Sequence, residues 1–272
     1  MTTIYNADCM TILKDIPDES IDMVMTSPPY DNLRTYNGAI DQWNFDKFKA
    51  IAKEIARILV RGGVCVWVVN DATINGSETG TSFRQALYFK DECGMNIHDT
   101  MIWKKMGCPF PETNRYYPNF EYMFVLSKRK PKTANLIQDR ENVHGGDIVH
   151  GTERQPDGSL KQQNGAKVGR VYKEIGVRWN VWTIAGAFNN IGHPAVYPIS
   201  LASDHIRTWT NEGDTVLDPF LGSGTTGIAC IKLNRNFIGT EIDPTYFGIA
   251  KKRIEETEHE QKESMALFEG AE

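Results

Sequence analysis

No Cys-x-x-Cys pair occurs anywhere in the 272 residues, and the five cysteines (Cys9, Cys65, Cys93, Cys108 and Cys230) are odd in number and widely scattered. That usage argues against a zinc framework or a disulfide scaffold, so no metal is expected and most of the thiols are expected in the core. Long apolar runs are missing too. Nothing approaches the roughly 18 consecutive apolar residues a membrane helix needs, and no basic-then-apolar leader opens the chain. A reducing, cytoplasmic setting with no membrane partner is the expectation. Excess positive charge is also absent, the formal net charge being −5. Its distribution is uneven, however: residues 104–180 carry 14 Lys and Arg against 8 Asp and Glu, which leaves the rest of the chain near −11. An acidic body with a basic middle fits a polyanion contact confined to one region, although solvated surface charge would give the same counts.

What is present is an ordinary globular composition, 40% hydrophobic and 24% charged, on a chain long enough for one large α/β domain or one domain with an insertion. Short strands are expected at 4–8, 21–25, 64–69, 96–103, 120–127, 215–220 and 236–242. Helices are expected at 9–16, 45–60, 82–92, 198–210, 225–233 and 244–256, the second from the apolar spacing Phe45, Phe48, Ile51, Ile55, Ile58, Leu59. Arg61-Gly62-Gly63 reads as a helix stop. From Lys128 to about Trp179 the core-facing periods dissolve into Gly, Gln, Asn and basic residues, which suits either a linker or a long insertion that meets a partner. Strands alternating with helices on both sides of that gap imply a Rossmann-like α/β fold, an open, mostly parallel sheet with helices on both faces.

Two stretches carry chemistry. Thr26-Ser27-Pro28-Pro29-Tyr30 closes a buried strand, because consecutive prolines lack N–H groups and cannot continue a ladder. Ser27 Oγ and the Pro28 carbonyl then present oxygen acceptors beside an aromatic ring, a set able to grip a flat ligand bearing an NH2 group. A rigid turn would need the same residues. The second stretch, Gly222-Ser223-Gly224-Thr225-Thr226-Gly227, follows a strand and opens a helix, and Glu241 ends the next strand, where a carboxylate can accept ribose hydroxyls. A nucleoside-containing cofactor is implied, either a nicotinamide dinucleotide or S-adenosylmethionine. Asp218-Pro219-Phe220 favours the latter. An Asp four residues before the first glycine is unwelcome to a diphosphate but suits an ammonium and a sulfonium, and Phe220 can pack against apolar parts of the cofactor.

With these residues in view, the chain resembles the amino-directed (N4-cytosine/N6-adenine) DNA methyltransferases. Asp218-Pro219-Phe220-x-Gly222-Ser223-Gly224-Thr225-Thr226 matches their cofactor loop, and Ser27-Pro28-Pro29-Tyr30 their catalytic motif. The catalytic motif comes first, which is similar to the circularly permuted β group. The resemblance spans about 4–127 and 190–256 and implies a catalytic half at 1–127, an irregular target-recognition insertion at 128–180, a cofactor-binding half at 181–257 and a polar tail at 258–272. It implies that Asp218 binds the methionine amino group and Glu241 the ribose. Phe220 and the backbone at Gly222 and Gly224 would line the cofactor, Asp8 would lie near the adenine ring, and His193 and Pro194 would close the methionine end. It further implies double-stranded DNA as partner, a homodimer as in many members of the group, and a base rotated out of the duplex with Tyr30 stacked on it. Ser27-Pro-Pro-Tyr leans slightly to cytosine N4 over adenine N6. No cysteine nucleophile is needed, in keeping with the lack of a Pro-Cys motif. The rival expectations are an RNA or protein methyltransferase and an NAD-binding oxidoreductase.

Overall fold

The computed structural model describes residues 1–30, 43–107, 113–149, 151–162, 168–186 and 196–269. The first half comprises β1 (Thr2–Asn6), α1 (Cys9–Asp15), β2 (Ile21–Thr26), α2 (Phe45–Ile58), β3 (Leu59–Val69), the two-residue strands β4 (Thr73–Ile74) and β5 (Ser77–Glu78), α3 (Thr81–Asp91), β6 (Asn96–Lys104) and β7 (Phe120–Ser127). After β8 (Gln138–Glu141), β9 (Thr152–Arg154), β10 (Leu160–Gln162) and β11 (Ile175–Val177) come β12 (Val181–Thr183), α4 (Ile199–Trp209), β13 (Thr215–Asp218), α5 (Thr225–Lys232), β14 (Asn236–Glu241) and α6 (Pro244–Glu269).

Eight strands form one sheet in the order β1-β14-β13-β2-β3-β7-β6-β12. Every neighbour from β1 through β3 is parallel, β7 is antiparallel to both β3 and β6, and β12 rejoins parallel to β6. The pairing explains the motif order. β13, late in the chain, lies beside β2, early in the chain, with Val216 opposite Met23 and Leu217 opposite Val24. The carboxyl ends that carry Asp218 and Ser27 are thereby neighbours although 191 positions separate them. β1 closes the arrangement by pairing with β14, Asn6 opposite Glu241.

Strand alternation sends successive side chains to opposite faces, so one run feeds two layers. Val24, Cys65, Trp67 and Leu126 pack with α1–α3 through Leu13, Phe48, Ile51, Ile55 and Phe89. Phe48 is the hub, its ring 5.5 Å from Phe89 and 5.8 Å from Trp67. On the other face His205 of α4 meets Met123 of β7, and α5 lies so close to β14 that a Cβ on Gly227 would stand 2.8 Å from the Phe237 ring and 2.9 Å from Ile254 Cδ1. Gly227→Ala should therefore lower stability by about 1–2 kcal/mol, against the usual gain of about 0.5–1 kcal/mol for Gly to Ala in a helix. A urea midpoint with unchanged m-value measures it.

Three local expectations change. Arg61-Gly62-Gly63 does not stop a helix: α2 ends at Ile58 and β3 already runs through both glycines, Gly62 at φ +81° beside a register shift in the β2–β3 pairing. Residues 128–135 belong with the main body, where Lys132 Nζ meets Asp22 at 2.5 Å and Asp214 at 3.6 Å. Leu136–Trp179 form a separate compact unit that has order of its own, in two antiparallel strand pairs, β8–β11 and β9–β10. Within it Arg178 pairs with Asp139, and the Arg140 guanidinium lies 4.1 Å from the ring centroid of Trp179. The chain from 258 is no loose tail as far as Glu269, since α6 continues through it, held to the body by Gln261 Nε2 donating to the Ile231 carbonyl at 2.8 Å.

Burial pushes the Cys9 thiol up to about 12, Cys65 further up and Cys230 well above the ordinary thiol value, as expected of inert core thiols. Among the described residues no helix is long and apolar enough to cross a membrane, and no group of His, Cys, Asp and Glu is placed to hold a metal ion.

Candidate active site

One cleft gathers the carboxyl ends of β1, β2, β13 and β14, where open parallel sheets bind their ligands. Ser27 and Pro29 line it from β2, Asp8 from the start of α1, and Pro219, Phe220, Gly222, Ser223 and Thr225 from the loop after β13; Glu241 closes it at the end of β14.

The glycine loop is held from two sides. Leu221 N donates to the Thr240 carbonyl at 2.9 Å, Thr240 Oγ1 donates to the Pro219 carbonyl at 2.8 Å, and Arg253 of α6 reaches the Ser223 carbonyl. Gly224 caps α5 at φ +85°, and a Cβ there would come within 3.2 Å of Ala250, so both conformation and space require glycine. Glu241 does two jobs: Oε2 accepts from Gly222 N at 2.8 Å and Oε1 from Asp243 N at 2.9 Å, which leaves each oxygen a lone pair towards the cleft. Burial raises its pKa above the ordinary carboxylate value, with the charges of Asp243 and Asp218 adding to the rise. Thr225 Oγ1 lies buried on the cleft wall with no hydrogen-bond partner among the described residues. An unspent hydroxyl, a ribose-ready carboxylate, close-approach backbone and the apolar Phe220 fit an adenosyl cofactor.

Asp218 departs from its expected role. Its carboxylate is buried and does not line the cleft. Thr26 Oγ1 at 2.6 Å and Phe220 N at 3.0 Å donate to Oδ1, while Thr226 Oγ1 at 2.5 Å and Tyr197 Oη at 3.3 Å approach Oδ2. Thr26, Phe220 N and Thr226 donate to the carboxylate, and Tyr197 Oη, which also bonds Thr226 Oγ1, crowds Oδ2, so most of its acceptor positions are taken within the protein. Thr226, too, is spent on this cage. Burial raises the Asp218 pKa, with the hydroxyl donors opposing, and burial and the neighbouring Asp218 push Tyr197 well up.

Tyr30 is the second departure. Its ring is buried rather than set on the cleft wall, so the expected stacking platform is not found there. Its Oη accepts from Ser27 Oγ at 2.9 Å and donates to Glu121 Oε2 at 2.7 Å. Pro28 is buried as well. Asp8 does face the cleft, capping α1 through Met10 N at 2.9 Å and pairing with Lys47 Nζ at 2.9 Å; burial raises its pKa, but the Lys47 hydrogen bond and charge outweigh that and hold it low. His193 and Pro194 lie outside the described residues.

Sequence reasoning missed Trp43, Lys47, Tyr197 and Glu121. Trp43 meets Phe220 edge-on at 5.4 Å. Lys47 sits one turn into α2 because Asn44 caps that helix, accepting from Lys47 N at 2.9 Å. Neither lysine nor tryptophan stood in a motif, and only the fold brings them to the cleft.

The sheet order and the placement of both motifs at its carboxyl end define a methyltransferase-type α/β domain in permuted order. A family model described as DNA methylase (N6_N4_Mtase) matches residues 21–252, and the chain belongs to that family. It is 48% identical to the orphan methyltransferase M.BamHII of Bacillus amyloliquefaciens over 250 residues, 89% of this chain and 91% of that one. The fold is similar to that of the PvuII DNA methyltransferase (cytosine-N4-specific), with a TM-score of 0.68 at 21% identity over 95% of this chain and 91% of that one. It is also similar to M1.HpyAVI in its complex with SAM, with a TM-score of 0.60 at 27% identity over 93% and 100%.

Proposed function

We propose that this protein is an S-adenosylmethionine-dependent, sequence-specific DNA methyltransferase that modifies an exocyclic amino group of a base rotated out of the duplex, cytosine N4 ahead of adenine N6. The observation that carries the reading is that Ser27, at the end of β2, lines the same cleft as the Gly222–Gly224 loop at the end of the neighbouring β13. A dinucleotide oxidoreductase is disfavoured, because the Glu241 carboxylate bonded to Gly222 N would face a diphosphate there.

Glu241 would accept hydrogen bonds from the ribose hydroxyls, the backbone at Gly222 and Gly224 with Phe220 and Trp43 would line the cofactor, and the Asp8–Lys47 pair would hold its adenine end. Bound there, S-adenosylmethionine supplies an electrophilic methyl group with a neutral thioether as leaving group. The target amine is a poor nucleophile, since its lone pair is delocalised into the ring. Ser27 Oγ and the Pro28 carbonyl accept its two protons, which favours a pyramidal nitrogen and localises that pair in line with the methyl. The base must leave the stack because the amine is unreachable within it. Choice of the base rests on Ser27 at the first motif position.

Labelled cofactor offered with duplex DNA, RNA or protein tests the substrate class, and single-molecule sequencing of DNA from expressing cells reads the modified base and its context. Label on RNA or protein alone sinks the DNA reading, and modified adenine corrects the base. Glu241→Gln should weaken cofactor binding about 10- to 100-fold, the loss of charge-assisted acceptors. In the wild type, affinity should fall as pH drops through the raised Glu241 pKa, because binding favours the ionised form. Calorimetric titration across pH checks both, and the variant should lose that dependence.

A further inference from the structure

Glu121 carries no expected role, yet two hydrogen bonds connect its buried carboxylate to Ser27. Tyr30 Oη donates to Glu121 Oε2 at 2.7 Å, Ser27 Oγ donates to Tyr30 Oη at 2.9 Å, and Lys105 Nζ pairs with Glu121 Oε1 at 2.5 Å. The chain of bonds has a polarity. A carboxylate in an ion pair only accepts, so the phenol proton points to Glu121. The phenol oxygen can then only accept from Ser27, and the single Ser27 proton is committed inward. What Ser27 offers the cleft is a lone pair. An exocyclic amine has protons to give.

We infer that Glu121 is a positioning residue for methyl transfer: acting through Tyr30, it fixes Ser27 Oγ as an acceptor towards the target amine and is the base to which the surplus proton passes. The inference rests on the reading of the site as an amine methyltransferase. The nitrogen lone pair forms the N–CH3 bond as the S–CH3 bond breaks, and sulfur keeps that bonding pair. The nitrogen is left positively charged with one proton too many. That proton moves to Ser27 Oγ as the Ser27 proton moves to Tyr30 Oη and the Tyr30 proton to Glu121 Oε2. Serine and tyrosine end neutral as they began, the methylated base is neutral, and Glu121 is a carboxylic acid that returns its proton to solvent before the next turnover. The relay also gives a reason for Tyr30 to be buried: its hydroxyl, more than its ring face, is what the site uses.

The test is single-turnover methyl transfer from labelled S-adenosylmethionine to unmethylated phage DNA, with melting temperature and cofactor affinity measured alongside. Wild type, Glu121→Gln, Glu121→Asp, Tyr30→Phe and the double variant Glu121→Gln/Tyr30→Phe are compared. Glu121→Gln offers amide protons where an acceptor stood, so its transfer rate should fall roughly 10- to 100-fold with cofactor affinity unchanged. Glu121→Asp, which keeps the carboxylate, should recover part of the rate. The double variant should be no slower than Tyr30→Phe, because Glu121 acts only through the phenol. Wild-type rates in Glu121→Gln, losses that multiply in the double variant, or a loss that tracks a falling melting temperature would each overturn the relay while leaving the methyltransferase reading intact. A wild-type protein that leaves DNA unmethylated would remove both.

Discussion

Ser27→Ala is expected to slow methyl transfer about 10²- to 10³-fold, the scale seen when one preorganised hydrogen-bonding group is removed from a reacting centre. The substitution deletes the side-chain acceptor that lines the cleft and breaks the Ser27–Tyr30 bond at the open end of the relay. It deletes no packing of consequence, because Ser27 is only half-buried and the strand is fixed by its neighbours β3 and β13. Melting temperature and cofactor affinity should stay near wild type, which places the loss in the chemical step. Rapid-quench transfer assays beside calorimetric binding separate the two. Full activity in Ser27→Ala would remove the acceptor mechanism.

Asp218→Ala is expected to lower stability by about 3–5 kcal/mol, a large share of the roughly 5–15 kcal/mol that holds a domain folded. The carboxylate accepts from Thr26, Thr226 and Phe220 N, and Tyr197 joins the cage through Thr226 and beside Oδ2, which ties together the β2 and β13 ends, the start of α5 and the chain before α4. Removing it leaves the half-buried Phe220 N–H and the buried Thr26 and Thr226 hydroxyls without their acceptor and opens a cavity under the cofactor loop. Asp218→Asn keeps one oxygen for Thr26 and Phe220 but turns an amide donor towards Thr226 and Tyr197, so its cost should be smaller, about 1–2 kcal/mol. Chemical denaturation of the cofactor-free protein reads both. If Asp218 served instead as the ammonium ligand that the motif suggests, both variants would keep wild-type stability and lose only cofactor affinity.

The two departures share a cause. Asp218 and Tyr30 were placed in the sequence by what their side chains could offer a ligand, and each offer was real. A buried polar group takes the nearest partners available, however, because leaving it unpaired costs more than a typical hydrogen bond returns. Which partners are nearest depends on long-range pairing: Thr26 reaches Asp218 across 192 positions and Tyr30 reaches Glu121 across 91. No local pattern carries that information. The insertion was legible only as a break in periodicity, since strand pairs of three or four residues with exposed side chains, such as Thr152–Arg154, leave no apolar period to read. The helical end of α6 was missed for a related reason: residues 258–264 are polar, with no apolar period to read.

The sequence by itself determined the α/β class, seven of the eight strands of the main sheet and its helices, the two motifs and their permuted succession, because hydrophobic period, proline pairs and glycine turns are local properties of the chain. Only the tertiary structure decided that β13 lies against β2, that the cleft takes in Trp43 and Lys47, and that Asp218 is caged while Glu241 stays open to a ligand. The same holds for the polarity of Ser27. A hydroxyl can donate or accept, and its choice belongs to a carboxylate on another strand.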